Sequence, residues 1–533
     1  MTDFEWMAVG LDEVAWIALA FVLGLLARVG GLPPLIGYLA AGFLLGPQSA
    51  GQNELVEKLS DLGITLLLFT VGLKIHRRTL VRPQVWAISG LHMVVVLVSF
   101  TGIAQLAALA GASLFAGLEL STSLGLAFAL SFSSTVFAVK VLEERGEMNS
   151  LQGQIAIGIL IMQDLAAVLF LAASTGKLPS VYALLLILLV PARRFLHRLL
   201  ERVGHGELMV LYGFLLALGG AELFELVEMK GDLGALVVGT LVASHPKAEE
   251  LAKVMLGFKD LFLIGFFLSI GFASSVTVET LLLGLGLAPL VLLKAALFFA
   301  LFTRFRLRAR TSLLASVYLS SYSEFGLIVA AIGVESGWLD PAWLVALAIA
   351  LSVSFAVATA LDKSTYGLYS RRRDFWRRWQ SSTRLPDDRL LDIGGAQIAI
   401  VGMGSVGTGA YEEVVAHTAR PVVGIDIDPI TVRDHARVGR NVMLGDPGDA
   451  DFWDRVQASE TLELVLLTLP KLSTNLRVLK RLEDIDFSGR IAVTSRFADQ
   501  ERGLELAGAH LVYDMHRDAG AGFAAHVLTE VEG

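Results

Sequence analysis

Four polar groups stand inside stretches of this 533-residue chain that are otherwise almost wholly apolar. Asp164 follows Gln163 in ILIMQDLAAVLF, Lys294 lies in LVLLKAALFF, Glu324 lies in SSYSEFGLIV, and Ser131, Ser133, Ser134 and Thr135 crowd LSFSSTVF. A charge at the centre of a bilayer costs roughly 2.5 to 3.5 kcal/mol even on the lenient insertion scale, so such residues mark an ion path or a paired site. A single carboxylate there is neutralised by a proton or by a cation but not by both, and competition for it couples the two fluxes. Asp164 is the candidate for that role, and Gln163 adds a second polar group at the same costly depth. Lys294 and Glu324 fit equally a packing ion pair or membership of the site. Lone serines in membrane helices usually bond back to the preceding turn, so it is the density of hydroxyls that lifts residues 133–135 above background.

A second kind of chemistry is written in QIAIVGMGSVGTGAYEEV. Gly402, Gly404 and Gly407 keep G-x-G-x-x-G spacing between a strand-like and a helical run. Glycines so placed permit a tight turn and close approach of backbone to a phosphate at a helix N-terminus. Asp426 ends the next strand-like run nineteen residues after Gly407, about where an acid binds ribose hydroxyls. His435, His510 and His516 read as surface or core histidines, and no acid-base set accompanies the glycines, so an enzyme is not expected.

The elements that must hold these groups follow from composition. With 54% apolar and 18% charged residues, the chain falls outside the soluble globular range and reads as a polytopic membrane protein. Runs long enough to cross about 30 Å of hydrocarbon fall at 12–30, 33–46, 58–75, 84–107, 121–142, 154–174, 181–197, 208–226, 231–244, 257–275, 282–303, 313–334 and 342–362. That gives about thirteen spans, the second and ninth being short and glycine-rich. The acidic N-terminus MTDFEWMAVGLDEVAW lacks the basic start of a secretory signal, so the first run is expected to be retained. The absence of cysteine excludes disulfides and thiolate metal sites.

Loop charges give the orientation. With the N-terminus outside, inward loops hold Arg28, Arg77, Arg78, Arg82, Lys140, Arg145, Arg193, Arg194, Arg198, Arg202, Lys247, Lys253, Lys259, Arg304, Arg306, Arg308 and Arg310, while outward loops hold Lys58, Lys177 and Lys230. This asymmetry predicts an odd number of spans and a cytoplasmic C-terminus. The strip RRRDFWRRW at 371–379 suits an anionic lipid surface or a solvated linker helix alike, and nucleic acid is not expected. From residue 396 the pattern turns to six short strand-like runs alternating with helical ones, a Rossmann-type α/β domain. The divisions are thus 1–362, a linker at 363–395, and 396–533.

The fifth and twelfth runs each carry a polar break at mid-depth and, seven spans apart, cross in opposite senses. Inverted repeats of that kind place crossed, broken helices at a midplane ion site. A rival reading takes Thr70-Val71-Gly72 as half of a potassium-channel filter, but such a filter needs four copies of a TVGYG-like loop.

In order, SFSSTVFAVKVLEERGE, GILIMQDLAAV, FFLSIGFASS, LLKAALFFALFTRF and SSYSEFGLIVAAIG resemble the signature segments of the monovalent cation:proton antiporter-2 family, in its Kef-type potassium efflux branch. The resemblance implies a sodium/proton-antiporter-like fold and K+/H+ exchange in the cell inner membrane, with a Na+/H+ antiporter of the same fold as the alternative. It makes Asp164 the carboxylate that takes a proton or cation in turn, Gln163 the neutral neighbour that replaces a second acid, and Ser133, Ser134 and Thr135 the lining of the site, with Lys294 and Glu324 at charged core positions. The C-terminal part resembles an RCK/TrkA-N module, with Asp446 in the matching third-strand segment 442–456. That implies NAD(H) or an adenine nucleotide, AMP or ATP, as a regulatory ligand, and a homodimer.

Overall fold

The computed structural model describes residues 11–46, 54–73, 82–111, 115, 118–145, 147–148, 150–174, 180–273, 276–381, 383, 385, 388, 393–448, 453 and 461–532. Arg77, Arg78, Lys177 and much of the 442–456 segment lie outside them. The chain divides into two compact units, one of Met1–Ala138, Ile155–Phe305 and Ser312–Tyr366, the other of Val139–Gln154, Arg306–Thr311 and Gly367–Gly533.

The first unit is helical. Its elements are α1 (Leu11–Val29), α2 (Pro34–Leu45), α3 (Glu54–Leu73), α4 (Pro83–Leu109), α5 (Leu120–Ser131), α6 (Thr135–Arg145), α7 (Leu151–Ser174), α8 (Leu189–Val203), α9 (Glu207–Glu225), α10 (Gly231–Val242), α11 (Ala248–Ala273), α12 (Val278–Leu287), α13 (Leu290–Arg304), α14 (Ala309–Tyr318), α15 (Glu324–Glu335) and α16 (Pro341–Arg371). Helices α6, α7, α14 and α16 carry on into the second unit. A 3-10 turn, Val181–Leu188, precedes α8. Every apolar run of the sequence is helical where described. The fifth and twelfth are split at 132–134 and 319–323, and the eleventh is split before Pro289, which has no amide proton to continue the ladder. The run ending at 362 continues as helix to Arg371, into the expected linker.

Small residues let the short helix α10 pack closely. A Cβ on Gly72 would lie 2.3 Å from the carbonyl oxygen of Leu236, and one on Gly239 would lie 2.4 Å from that of Phe69. Helices α3 and α10 therefore touch backbone to backbone. Thr70 donates to Leu67 O at 2.8 Å within the same unbroken helix, so Thr70-Val71-Gly72 is a packing face and not a filter loop.

The second unit contains a six-stranded parallel sheet in the order β3-β2-β1-β4-β5-β6. The strands are β1 (Ile398–Val401), β2 (Val422–Asp426), β3 (Val442–Leu444), β4 (Leu464–Leu467), β5 (Arg490–Ser495) and β6 (Leu511–Asp514), one for each strand-like run. Strand order reverses beside β1, where α/β sheets open a ligand crevice at the strands' carboxyl ends. All four residues of β1 are buried, as expected for a central parallel strand covered on both faces. Among the described residues the unit's α-helices are α17 (Arg373–Arg377), α18 (Ser405–His417), α19 (Pro429–Arg437), α20 (Leu472–Asp484), α21 (Glu501–Leu506) and α22 (Met515–Glu532).

Candidate ion-exchange site and nucleotide pocket

Helix α5 stops at Ser131 because the serines that follow offer the backbone alternatives to the helical ladder. Ser131 donates back to Phe128 O at 2.7 Å, and Phe132 is extended at φ −72° and ψ 148°. The groups exposed by the break need partners away from water, and α7 supplies them. Gln163 Oε1 accepts the Ser133 amide at 2.9 Å, and Gln163 Nε2 donates to Ser131 O at 3.1 Å. One side chain thus spans the break.

The second break is dressed differently. Ser323 caps α15 by accepting the Phe325 amide at 3.2 Å, and Ser354 Oγ accepts the Tyr322 amide at 3.0 Å. Tyr322 in turn donates its hydroxyl to Leu287 O at 2.8 Å. The two broken helices meet where Gly326 faces Ala129, since a Cβ on Gly326 would come 2.5 Å from Ala129 O.

Lys294 joins the breaks. Its ammonium donates to Phe132 O of the first and, at 3.2 Å, to Ser321 O of the second, and it lies 5.5 Å from the centre of the Tyr322 ring. The Lys294–Glu324 ion pair, one of the two readings left open by the sequence, is therefore not formed. Glu324 opens α15, where the helix dipole favours a negative charge, and accepts from Ser134 Oγ at 3.4 Å. Asp164 is buried and accepts from Thr135 Oγ1 at 3.4 Å. Among the described residues the buried hydroxyls of Ser133 and Ser321, one in each break, have no hydrogen-bond partner. All eight residues singled out in the membrane runs are thus brought together. Sequence reasoning missed Ser321, Tyr322 and Ser354. The first two stand beside Glu324 in SSYSEFG and were readable there; Ser354 gave no signal beyond a lone serine in the last span.

In the second unit Gly402 has φ +96°, which favours glycine, and a Cβ on Gly407 would fall 1.8 Å from Gly402 O. Gly404 precedes the thirteen-residue α18. Both oxygens of Asp426 accept backbone amides, from Met403 at 2.6 Å and Asp428 at 2.8 Å, so the acid braces the glycine turn. His435 bonds Met403 O from beneath at 2.9 Å, and His510 accepts the Ile491 amide at 3.1 Å; both are structural. A cavity of about 620 Å³ opens over the turn, lined by Gly402, Gly404, Asp426, Lys471, Arg496 and Arg145 among others. A bare glycine turn, a helix N-terminus, an acid after β2 and basic side chains fit a nucleotide.

Asp446 lines the same cavity but its carboxylate is engaged. It accepts from Arg310 at 2.9 Å, Gln152 at 3.4 Å and the Gly448 amide at 2.8 Å. Arg477 pairs with Glu147 at 3.0 Å, and Thr474 donates to Arg145 O at 3.3 Å. The cavity wall is therefore built partly from the segment joining α6 to α7.

Residues 17–363 match the sodium/hydrogen exchanger transmembrane family, and residues 398–514 match the TrkA-N domain. The chain is 28% identical over 493 residues, 86% of each chain, to the provisionally named cation/proton antiporter YbaL of Escherichia coli (strain K12). It is 25% identical over 508 residues, 88% of this chain and 78% of the other, to the glutathione-regulated potassium-efflux system protein KefC of Enterobacter sp. (strain 638). The sodium proton antiporter MjNhaP1 of Methanocaldococcus jannaschii is similar over 69% of this chain and 99% of its own, with 13% identity and a TM-score of 0.48.

Proposed function

The chain belongs to the sodium/hydrogen exchanger family, as a Kef-type cation:proton antiporter with a TrkA-N domain, and on that premise we propose that exchange turns on Asp164 and that potassium is the cation. The observation that carries the reading is a buried carboxylate, accepting from Thr135, facing a broken helix whose backbone is held by Gln163 and Lys294. Thr135, Ser133, Ser134 and Ser321 supply hydroxyl oxygens suited to a cation without its water shell. Gln163 carries no charge, so the site has one carboxylate fewer than a paired-acid site, which favours one-for-one, electroneutral exchange and a weakly hydrated ion. The names of the Kef relatives favour potassium over sodium.

Residues 1–362 carry out exchange, 363–395 link, and 396–533 sense a nucleotide, NAD(H) or an adenine nucleotide held by Gly402, Gly404, Gly407 and Asp426. Occupation of the cavity reaches the ion site through Asp446. Gln152 lies twelve residues before Asp164 in α7, about 18 Å along a continuous helix, and Arg310 lies in α14, which runs on to the second break. Any such coupling is reciprocal, so the cation alters nucleotide affinity by the same factor. The inner-membrane protein has its N-terminus outside and its C-terminal domain in the cytoplasm, as the loop charges support. The basic, aromatic strip with exposed Phe375 and Trp379 meets lipid headgroups, and the protein works as a homodimer.

Proton flux in proteoliposomes, driven by potassium or sodium with and without each nucleotide, tests the reading. Potassium-dependent flux that disappears in Asp164→Asn supports it; coupled flux retained in that variant removes Asp164 from the mechanism. Ion flux without proton dependence would revive the channel alternative.

A further inference from the structure

His92, in the middle of α4, is wholly buried. Its imidazole is stacked on Phe298 of α13, with ring centres 3.7 Å apart and planes 6° from parallel. Among the described residues neither ring nitrogen has a hydrogen-bond partner. Leaving a buried polar group unpaired costs about 1 to 3 kcal/mol. A phenylalanine would give the same stack without that penalty, so packing alone does not account for a histidine here.

Its surroundings suggest what does. Phe298 follows Lys294 by four residues, so both side chains leave the same face of α13. The imidazole therefore lies on the face that carries the ammonium pinning the two breaks. Among the described residues the elements packed most extensively on α4 are α5 and α13. Helix α5 has no titratable residue, and α13 has Lys294 and, in its last turn, Arg304. Helix α4 carries no other titratable group, and Arg304 lies about 15 Å further along α13 from Lys294.

We propose that His92 is a second protonation site of the transport core, a positioning residue that acts on exchange through Lys294. A proton taken up from the aqueous phase puts a second positive charge beside the ammonium where water does not screen it, and the two charges oppose each other. The bonds from Lys294 to Phe132 O and Ser321 O, which hold both breaks, are loosened. The exchange rate then follows two ionisations on its acid side, that of Asp164 and that of His92. The kinetic part rests on exchange at Asp164 as proposed above; protonation of His92 does not.

The test is made on the full-length protein, with His92→Gln and His92→Asn, either of which keeps a polar side chain and removes the ionisation. In proteoliposomes the acid limb of the rate falls with two protons in the wild type and with one in the variant, while the alkaline rate stays within about twofold. An unchanged limb in a folded variant overturns the proposal. Independently, histidine-labelled 15N NMR identifies the resonance lost in either variant. It should titrate on acidification and move its midpoint in Lys294→Met. A resonance that stays in one state as the pH is lowered until the protein unfolds also overturns the proposal, whatever becomes of Asp164, whereas a titrating His92 with transport surviving in Asp164→Asn would sink only the exchange reading.

Discussion

The two breaks have the same job, to open backbone at mid-depth, and differ in where their carboxylates stand. The first, at 132–134, borrows its partners from another helix, because Gln163 takes both the Ser133 amide and the Ser131 carbonyl. The second, at 319–323, is stabilised by Ser323 and Ser354, with its own carboxylate set into the first turn of α15. Asp164 reaches its break from a neighbouring helix and accepts from Thr135 at 3.4 Å; Glu324 accepts from Ser134 at the same distance and belongs to the helix that its break begins. On the reading proposed above, Asp164 takes the moving role and Glu324, set in the first turn of α15, the fixed one.

The largest expected effect follows from that asymmetry. Asp164→Asn should lower exchange at least about 100-fold, while Glu324→Gln, which keeps a hydrogen-bond acceptor for Ser134, should lower it about tenfold with the ion-to-proton ratio unchanged. Equal losses in two folded variants would abolish the distinction between the breaks. Next in size is Lys294→Met, which strips the donor from Phe132 O and Ser321 O together. An unsatisfied buried carbonyl costs about 1 to 3 kcal/mol, so the thermal midpoint in detergent should fall by several degrees. A variant as stable as the wild type would mean that the breaks do not depend on a shared tether.

Most of this site was legible because membrane burial makes polar residues conspicuous. Asp164, Gln163, Glu324 and the 133–135 hydroxyls stand out in apolar runs, and serine density alone places both breaks. Two partnerships were not legible. Lys294 and Glu324 have opposite charges at similar depth, which invites pairing, yet the lysine is spent on backbone that only the tertiary crossing exposes. Gln163 reads as a missing acid, and its amide turns out to be stitched across the α5–α6 break, a use that no spacing announces. In the second unit the alternating pattern locates all six strands and the glycine turn, since backbone geometry dictates those residues. Asp446 shows what motif reading leaves out: its position suggested a ligand contact and it lines the cavity, while its partners Arg310 and Gln152 lie more than a hundred residues away in sequence.

That set of bonds extends the comparison beyond the breaks. Gln152 is on the helix that serves the first break and Arg310 is on the helix that leads to the second, so Asp446 holds both at once. Asp446→Asn and Arg310→Gln should remove most of the response of exchange to nucleotide, leaving the unstimulated rate within about threefold. The measurement is potassium-driven proton flux with and without NADH, NAD, AMP and ATP. If nucleotide still shifts the rate of both variants as it shifts the wild type, coupling runs through some other contact.

The smallest effect lies away from both breaks, at the turn from α10 to α11, and serves to separate stability from exchange. His245 Nδ1 accepts the Lys247 amide at 3.1 Å, its ring stands edge-on to His197 at 5.2 Å, and Nε2 lies 3.7 Å from Glu201. Burial, with the nearby His197 and Lys247, pulls its pKa below the ordinary 6.5, against the opposing pull of Glu201. A base with a lowered folded pKa binds fewer protons in the native state than in the unfolded state. Stability is therefore whole above about pH 6.5 and is lost as pH falls through the lower folded value. His245→Gln keeps an acceptor for Lys247 and cannot be protonated, so its thermal midpoint should depend less on pH between about pH 5 and about pH 7 than that of the wild type. Its acid limb of exchange should stay as steep as in the wild type. Loss of that limb in His245→Gln would mean that the pH response of transport is set at this turn and not where the broken helices cross.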